Sequence, residues 1–191
     1  AENQAAALRD RGHDVSILMG HDPPGRATRL LHPRSGRHGD LPPGIIPVGR
    51  SVVVPANGSL PNIVLSPRAV PNIRRALERE RFDVVHVHEP MTPAIGVATL
   101  ALTRGPLVGT FHASGELGWM KMATPLWGFL AERLDVRIAV SEQARDSAQA
   151  WLPGEYEIVP NGVLVHDRAD PAGRKHNVLF AGRHDPRKGL P

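Results

Sequence analysis

Histidines follow two apolar segments of the chain that have the composition of buried strands. Residues 82–88 end in His86 and His88, and residues 107–110 are followed closely by His112. An imidazole can hydrogen-bond a hydroxyl group or take up a proton near neutral pH. Because ligands of open parallel sheets bind beyond the carboxyl ends of the strands, we predict that these histidines contribute to one site.

Strand alternation predicts the orientation of the first pair. His86 and His88 should share one face of their strand, with valines on the other face. Pro90 should end the strand, which leaves Glu89 at the rim of the sheet. For any single histidine, a structural hydrogen bond is the alternative interpretation.

A third apolar segment, residues 177–181, leads into a basic segment. Gly182 would let a ligand approach the backbone, and Arg183 and Lys188 lie on either side of a proline turn. Two cations at this spacing can converge on a pyrophosphate and offset the charge of a departing nucleoside diphosphate. An ordinary basic surface turn is the alternative interpretation.

The elements that position these residues alternate between helix-like and strand-like periodicity. This alternation predicts an α/β fold, a Rossmann-like parallel sheet flanked by helices. Gly12 is predicted to stop the first helix, and Ser141 to cap the last one. The predicted helices are 2–11, 68–80, 94–103, 126–134 and 142–151, and the predicted strands are 15–19, 45–48, 52–55, 63–65, 82–88, 107–110, 137–140, 156–159 and 177–181.

Composition narrows the class of protein. The chain has 191 residues, 41% of them hydrophobic, which is enough for a buried core. It has no cysteine, which excludes disulfides and thiolate metal sites and favours the reducing cytosol. The net charge of +4 comes with 20 arginines and 3 lysines, so either anionic partners or a solvated basic surface is expected. The longest nearly uncharged run, residues 90–103, is too short to span a membrane.

The pattern of elements predicts two domains. Residues 1–160 form the first predicted domain, and the polar stretch 161–176, with its proline and glycine, is a predicted linker. The strand-like segment that follows would open a second domain, of which residues 177–191 are the start.

The chain resembles the family 4 glycosyltransferases, and within them most closely the actinobacterial phosphatidylinositol mannosyltransferases. The turn Asn57-Gly58-Ser59 is shared with the latter group. Five motifs occur in the order seen in the family: His86-Val87-His88-Glu89-Pro90, Thr110-Phe111-His112-Ala113-Ser114, Ala139-Val140-Ser141, Val159-Pro160-Asn161-Gly162-Val163, and Gly182-Arg183 with Lys188-Gly189.

The resemblance implies a GT-B fold and transfer of a sugar with retention of anomeric configuration. The co-substrate would be a nucleotide sugar such as GDP-mannose or a UDP-sugar, with no metal and no further cofactor, and the acceptor a lipid or small polar molecule. His112 would be the active-site histidine. The matching positions are Gly182, Arg183 and Lys188 for the donor, and Asn57, Ser59, His88, Glu89 and Ser114 for the acceptor.

The sequence also departs from that family. The glycine-rich loop and strand that precede the first helix in the family, and the paired glutamates of its donor domain, are not in these 191 residues. We therefore expect the chain alone to be inactive. Asn62, Met91 and Leu117 occupy positions expected to be polar or basic in inositol-lipid enzymes, which weakens phosphatidylinositol as the acceptor.

A membrane contact is a separate hypothesis. Arg74 and Arg75 lie side by side on the predicted helix 68–80, and similar basic helices dock related enzymes on anionic lipid. Glu78 and Glu80 offset part of this positive charge, so the alternative interpretation is a helix face that contacts only solvent. The expected location is cytoplasmic, either free or peripheral at the inner face of the plasma membrane, and no nucleic-acid partner is expected.

Three other functions compete with sugar transfer. A metal-dependent hydrolase could use His86 and His88 as ligands, with His112 as a third. A dinucleotide-dependent oxidoreductase is disfavoured, since no G-x-G-x-x-G follows an initial strand. A non-catalytic remnant or acceptor-binding module is the remaining alternative.

Overall fold

Helices and strands alternate along the part of the chain that the structure describes. The structure, a computed structural model, describes residues 2–22, 41–53, 62–64, 66–112 and 128–163. These residues belong almost entirely to the first of two compact units, Ala1–Asn161 and Gly162–Pro191. The elements are α1 (Glu2–Arg9), β1 (Ile17–Gly20), β2 (Ile45–Gly49), β3 (Ser51–Val53), β4 (Asn62–Val64), α2 (Ala69–Glu80), β5 (Val85–His88), α3 (Ile95–Leu102), β6 (Leu107–Phe111), β7 (Val136–Ala139), α4 (Glu142–Gln149) and β8 (Glu157–Ile158).

A four-stranded parallel sheet carries the histidines. Its strand order is β5-β6-β7-β8, so each strand pairs with the next one along the chain. His88 pairs with Thr110, and Phe111 pairs with Ala139. This register brings the carboxyl ends of β5 and β6 together at one edge of the sheet, as the sequence predicts.

The other described strands form two separate pairs. β1 and β2 are parallel, while β3 and β4 are antiparallel. The predicted α/β class with parallel strands and flanking helices is confirmed, but the described strands make three sheets instead of one. Asp22 is buried and accepts hydrogen bonds from Ser51, at 3.3 Å from its backbone nitrogen and 2.5 Å from its hydroxyl oxygen. These bonds tie the end of β1 to the start of β3.

An apolar core packs beneath the four-stranded sheet. Phe111 is buried at its centre and meets Trp151 and Tyr156 edge-on, with ring centroids 6.0 and 5.4 Å away. Leu100 and Leu107 are buried in the same cluster. A second cluster, centred on Val48, Ile73 and Ala98, joins α2 and α3 to the first strand pair. Burial of this apolar surface is what fixes the strand ends in place.

Two predicted helix signals are confirmed. Gly12 has a φ of +88°, and its N–H donates to the carbonyl of Arg9, which ends α1 in a left-handed turn. The Ser141 hydroxyl oxygen accepts the N–H of Ala144 at 3.2 Å and caps α4.

Strand bounds differ from the prediction where a pairing partner is missing. The strand predicted from residue 82 begins only at Val85, which pairs with Leu107. Pro106 precedes Leu107 and has no N–H to continue the ladder, so the earlier residues are left unpaired. Other ends shift as well. The first helix ends at Arg9, β1 starts at Ile17, and β8 is confined to Glu157–Ile158. Of the predicted helix 126–134, the structure describes residues 128–134, and residues 128–131 of these are helical.

Some predictions fall outside the described residues. These are most of the predicted linker 161–176 and the whole strand-like segment 177–181. The two-domain division therefore stays a prediction. No helix among the described residues is long and apolar enough to cross a bilayer.

Gly96 provides a direct test of the packing that holds the end of β5. A Cβ at this position would lie 2.5 Å from the Pro90 carbonyl oxygen and 3.0 Å from that of Glu89. Because these are backbone atoms, we expect Gly96→Ala to lower the free energy of unfolding by about 1–3 kcal/mol. Gly105→Ala is the matched control, since its nearest neighbour would be 3.8 Å away. Urea unfolding measures both variants, and equal midpoints would contradict the packing described.

Candidate functional site

Three imidazoles stack at the carboxyl edge of the sheet. The ring centroids of His86 and His88 are 4.6 Å apart, with the planes inclined by 21°. Those of His88 and His112 are 5.2 Å apart, with an inclination of 29°. The predicted shared face of His86 and His88 is thus confirmed, and the structure adds His112 from the neighbouring strand.

Hydrogen bonds connect this imidazole stack, which is formed by His86, His88 and His112. The His88 Nδ1 atom lies 2.9 Å from His112 Nε2. His86 Nε2 lies 2.6 Å from the hydroxyl oxygen of the buried Thr110. On the other side, the side-chain amide of Gln4 in α1 spans the first two rings, at 3.1 Å from His88 Nε2 and 3.4 Å from His86 Nδ1.

Two rings of the stack, His86 and His88, are uncharged at neutral pH. Burial, assisted by the neighbouring His86 and His112 rings, lowers the pKa of His88 to about 4. Burial also lowers the pKa of His86, assisted by His112. A proton on either ring would be poorly solvated and close to other imidazoles. His86 and His88 are therefore neutral hydrogen-bonding groups.

Glu89 joins the two strand ends that carry the stack. Its backbone has a φ of +51°, the left-handed region, and its N–H donates to the Thr110 carbonyl at 2.8 Å. The side chain turns back so that Oε1 accepts the backbone N–H of His112 at 2.7 Å. A charge-assisted bond of this length orients the backbone of His112 directly. Strain in a non-glycine residue at a strand end is common at functional sites.

The arrangement suits recognition of hydroxyl groups. It presents three imidazoles and a carboxylate along one edge, within a half-buried surface. Nothing in the described residues gathers three or more histidine or acidic side chains around a point that could hold a metal ion. His88 and His112 direct a pair of ring nitrogens at each other, which does not favour the metal-dependent hydrolase interpretation.

The structure brings together some predicted site residues and leaves others apart. His86, His88, Glu89 and His112 meet at the sheet edge. Arg74 and Arg75 lie elsewhere, on the exposed side of α2. The remaining predicted residues lie outside the described part of the chain, so their roles stay predictions: Asn57, Ser59, Ser114, Gly182, Arg183 and Lys188.

Sequence reasoning missed Gln4 as a member of the site. This residue lies 82 positions before His86, on a short helix whose other residues show no functional motif. Its contact with the stack joins segments more than 80 residues apart, which periodicity does not specify. The only local signal is a polar side chain next to the buried Ala5.

Comparisons with known proteins show clear relatives. Residues 1–166 match the family model described as Glycosyltransferase Family 4. A phosphatidyl-myo-inositol mannosyltransferase of Propionibacterium freudenreichii subsp. shermanii is 35% identical over 192 residues, which cover 96% of this chain and 49% of that protein. The protein of the same name from Mycolicibacterium smegmatis is 33% identical over 198 residues, covering 97% of this chain and 47% of the relative. The chain spans about half the length of these curated relatives.

The lowered pKa of His88 predicts a pH dependence of stability. Its ordinary value of 6.5 applies to the unfolded chain, so between about 6.5 and 4 the unfolded chain binds a proton that the folded chain does not. The free energy of unfolding therefore falls as pH falls through this window. We expect His88→Gln to reduce that dependence, measured as urea midpoints from about pH 7 to about pH 4.

The control for this experiment is His13→Gln, at an exposed histidine. It should retain the pH dependence of the parent chain. If His88→Gln also retained the full dependence, the burial of His88 in a stack would be contradicted.

Proposed function

Because the chain belongs to glycosyltransferase family 4, matched over residues 1–166, we propose that it is the acceptor-side part of a retaining glycosyltransferase. The reaction moves a sugar, with mannose favoured, from a nucleotide-sugar donor to a lipid or small polar acceptor. The observation that carries the proposal is the imidazole stack joined to Glu89 at the carboxyl edge of β5 and β6. The names of the relatives support mannose as the sugar.

The chemistry of the stack fits a polyhydroxylated ligand. Neutral imidazoles donate and accept hydrogen bonds to hydroxyl groups, and a carboxylate accepts them strongly. His112 is half-buried and held by Glu89 through its backbone, so its ring is positioned before any ligand arrives. Such positioned groups accelerate a reaction when they contact the sugar more strongly in the transition state.

In the proposed reaction, the acceptor hydroxyl attacks the anomeric carbon on the face from which the diphosphate departs. The bond from the anomeric carbon to the diphosphate oxygen breaks, and the departing diphosphate takes up the hydroxyl proton. His112 holds the sugar in place. The co-substrate is a GDP-sugar or UDP-sugar such as GDP-mannose, with no separate cofactor or metal.

Other residues complete the proposal by resemblance alone. Gly182, Arg183 and Lys188 would hold the donor diphosphate. Asn57, Ser59, His88, Glu89 and Ser114 would contact the acceptor. We further propose that the 191 residues alone bind ligand without turnover, since the relatives are about twice as long.

The proposal predicts strong effects on turnover in the natural polypeptide that contains this chain. We expect His112→Ala and Arg183→Ala each to lower kcat by about tenfold or more, because each removes a contact to the reacting sugar or diphosphate. The measurement is release of nucleoside diphosphate with GDP- and UDP-sugars and phospholipid or polyol acceptors.

His13→Ala, at an exposed position remote in sequence from both motifs, is the control and should leave kcat unchanged. Unchanged turnover in both His112→Ala and Arg183→Ala would refute the assignment. Release of nucleoside diphosphate with none of the donors would refute the activity itself.

We also propose that α2 contacts anionic membrane at the inner face of the plasma membrane. Its buried side is formed by Ala69, Ile73 and Ala76, which leaves Arg74 and Arg75 on the exposed side. Together with Val70, Pro71 and the acidic Glu78 they line a shallow depression. An apolar patch flanked by arginines suits the interface of an anionic bilayer.

Vesicle co-sedimentation tests this contact. The double substitution Arg74→Glu with Arg75→Glu should lower the binding constant for anionic vesicles about tenfold or more, given the usual contribution of one basic residue. The control reverses two other exposed arginines, Arg11 and Arg50, and should bind like the parent chain. Equal pelleting of the parent chain with neutral and anionic vesicles would remove the proposal.

A further inference from the structure

We propose that Gln4 is a positioning residue that fixes the tautomer of His112, acting through His88. The Gln4 side-chain amide lies against two rings of the stack, with its oxygen 3.1 Å from His88 Nε2 and its nitrogen 3.4 Å from His86 Nδ1. An amide has one end that only accepts and one end that only donates. Its orientation therefore assigns hydrogens to the rings that it contacts.

The oxygen of Gln4 determines the state of His88 and then of His112. Because this oxygen only accepts, the hydrogen in the bond must be carried by His88 Nε2. A neutral His88 then has a bare Nδ1, which accepts from His112 Nε2 at 2.9 Å. A neutral His112 with its hydrogen on Nε2 has a bare Nδ1.

The nitrogen of Gln4 assigns the hydrogen of His86, and this assignment agrees with those of His88 and His112. Because this nitrogen only donates, His86 Nδ1 is bare and its Nε2 carries the hydrogen. That Nε2–H donates to the Thr110 hydroxyl oxygen at 2.6 Å. One side chain thus sets the tautomers of all three imidazoles, and every short contact has one donor and one acceptor.

The opposite arrangement would satisfy the same contacts with every direction reversed. With the amide turned over, its nitrogen would donate to His88 Nε2, His88 Nδ1–H would donate to His112 Nε2, and His112 would carry its hydrogen on Nδ1. His86 would change in step with them. The stack therefore has two internally consistent states, and the orientation of the Gln4 amide in the structure corresponds to the first of them.

The tautomer of His112 decides whether its Nδ1 atom donates or accepts a hydrogen bond to a ligand, a step that rests on the proposed function. His112 Nδ1 has no partner among the described residues. In the state of the structure, this atom accepts a hydrogen bond, which suits a sugar hydroxyl. In the reversed state it would donate, which suits a phosphate or carboxylate oxygen.

Nitrogen-15 NMR of the 191-residue chain reads these tautomers directly. Long-range correlations from ring protons distinguish Nε2–H from Nδ1–H, and single substitutions of His86, His88 and His112 assign the signals. At about pH 7.5 His86 and His88 are neutral. We expect the Nε2–H form in all three rings, in at least about fivefold excess, the ratio that one ordinary hydrogen bond produces.

Two substitutions separate the ends of the amide. Gln4→Glu replaces the donor by a second acceptor, so His86 should change to Nδ1–H while His88 and His112 stay Nε2–H. Gln4→Met removes both ends, so the excess of Nε2–H in His112 should fall by about fivefold. Gln143→Met, at an exposed glutamine of α4, is the control and should change none of the three rings.

Several outcomes would overturn the proposal. These are Nδ1–H on His112 in the parent chain, an unchanged His86 in Gln4→Glu, and an unchanged tautomer ratio of His112 in Gln4→Met. Because no substrate is present, failure of the proposed sugar transfer would leave these spectra as expected. Conversely, an enzyme that turned over normally with an unselected His112 tautomer would refute only the role of Gln4.

Discussion

The parallel pairing of β5 with β6 is the constraint on which the candidate site depends. His88 lies opposite Thr110 in this pairing, and the strand ends are joined beyond it by the Glu89 carboxylate, which accepts the backbone N–H of His112. Parallel pairing sends both strands to the same edge, so two segments more than 20 residues apart place their polar ends side by side. A one-residue change of register would turn His86 and His88 to the other face.

Close packing holds the strand ends in place, and burial sets the charge of histidine rings at those ends. Gly96 lets α3 approach the backbone of Glu89 and Pro90, and Gly109 leaves room for Leu134 against β6. Partial burial of His86 and His88 lowers their pKa values, which keeps these two rings neutral at physiological pH. Neutral rings can stack within 5.2 Å of one another, whereas charged ones would repel.

Much of this arrangement follows from the sequence, since alternation places His86 and His88 on one face and apolar runs mark β5 and β6. The turn at Gly12 and the cap at Ser141 are likewise local signals. What sequence patterns do not specify is pairing between distant segments. The antiparallel β3–β4 pair, the Gln4 contact and the return of the Glu89 side chain to the next strand all depend on tertiary packing. The donor residues inferred from resemblance, Arg183 and Lys188, lie outside the described residues.

The central claim is that His88 and His112 form one site that contacts the sugar ligand. The most direct measurement is the ring-proton NMR spectrum of the chain during titration with a nucleotide sugar and, separately, with a sugar or phospholipid headgroup, while calorimetry records binding independently. The account predicts that the His88 and His112 signals shift together with the calorimetric isotherm, and that the exposed His13 signal does not shift. Saturable binding in the calorimeter that leaves both the His88 and His112 signals unmoved would contradict it.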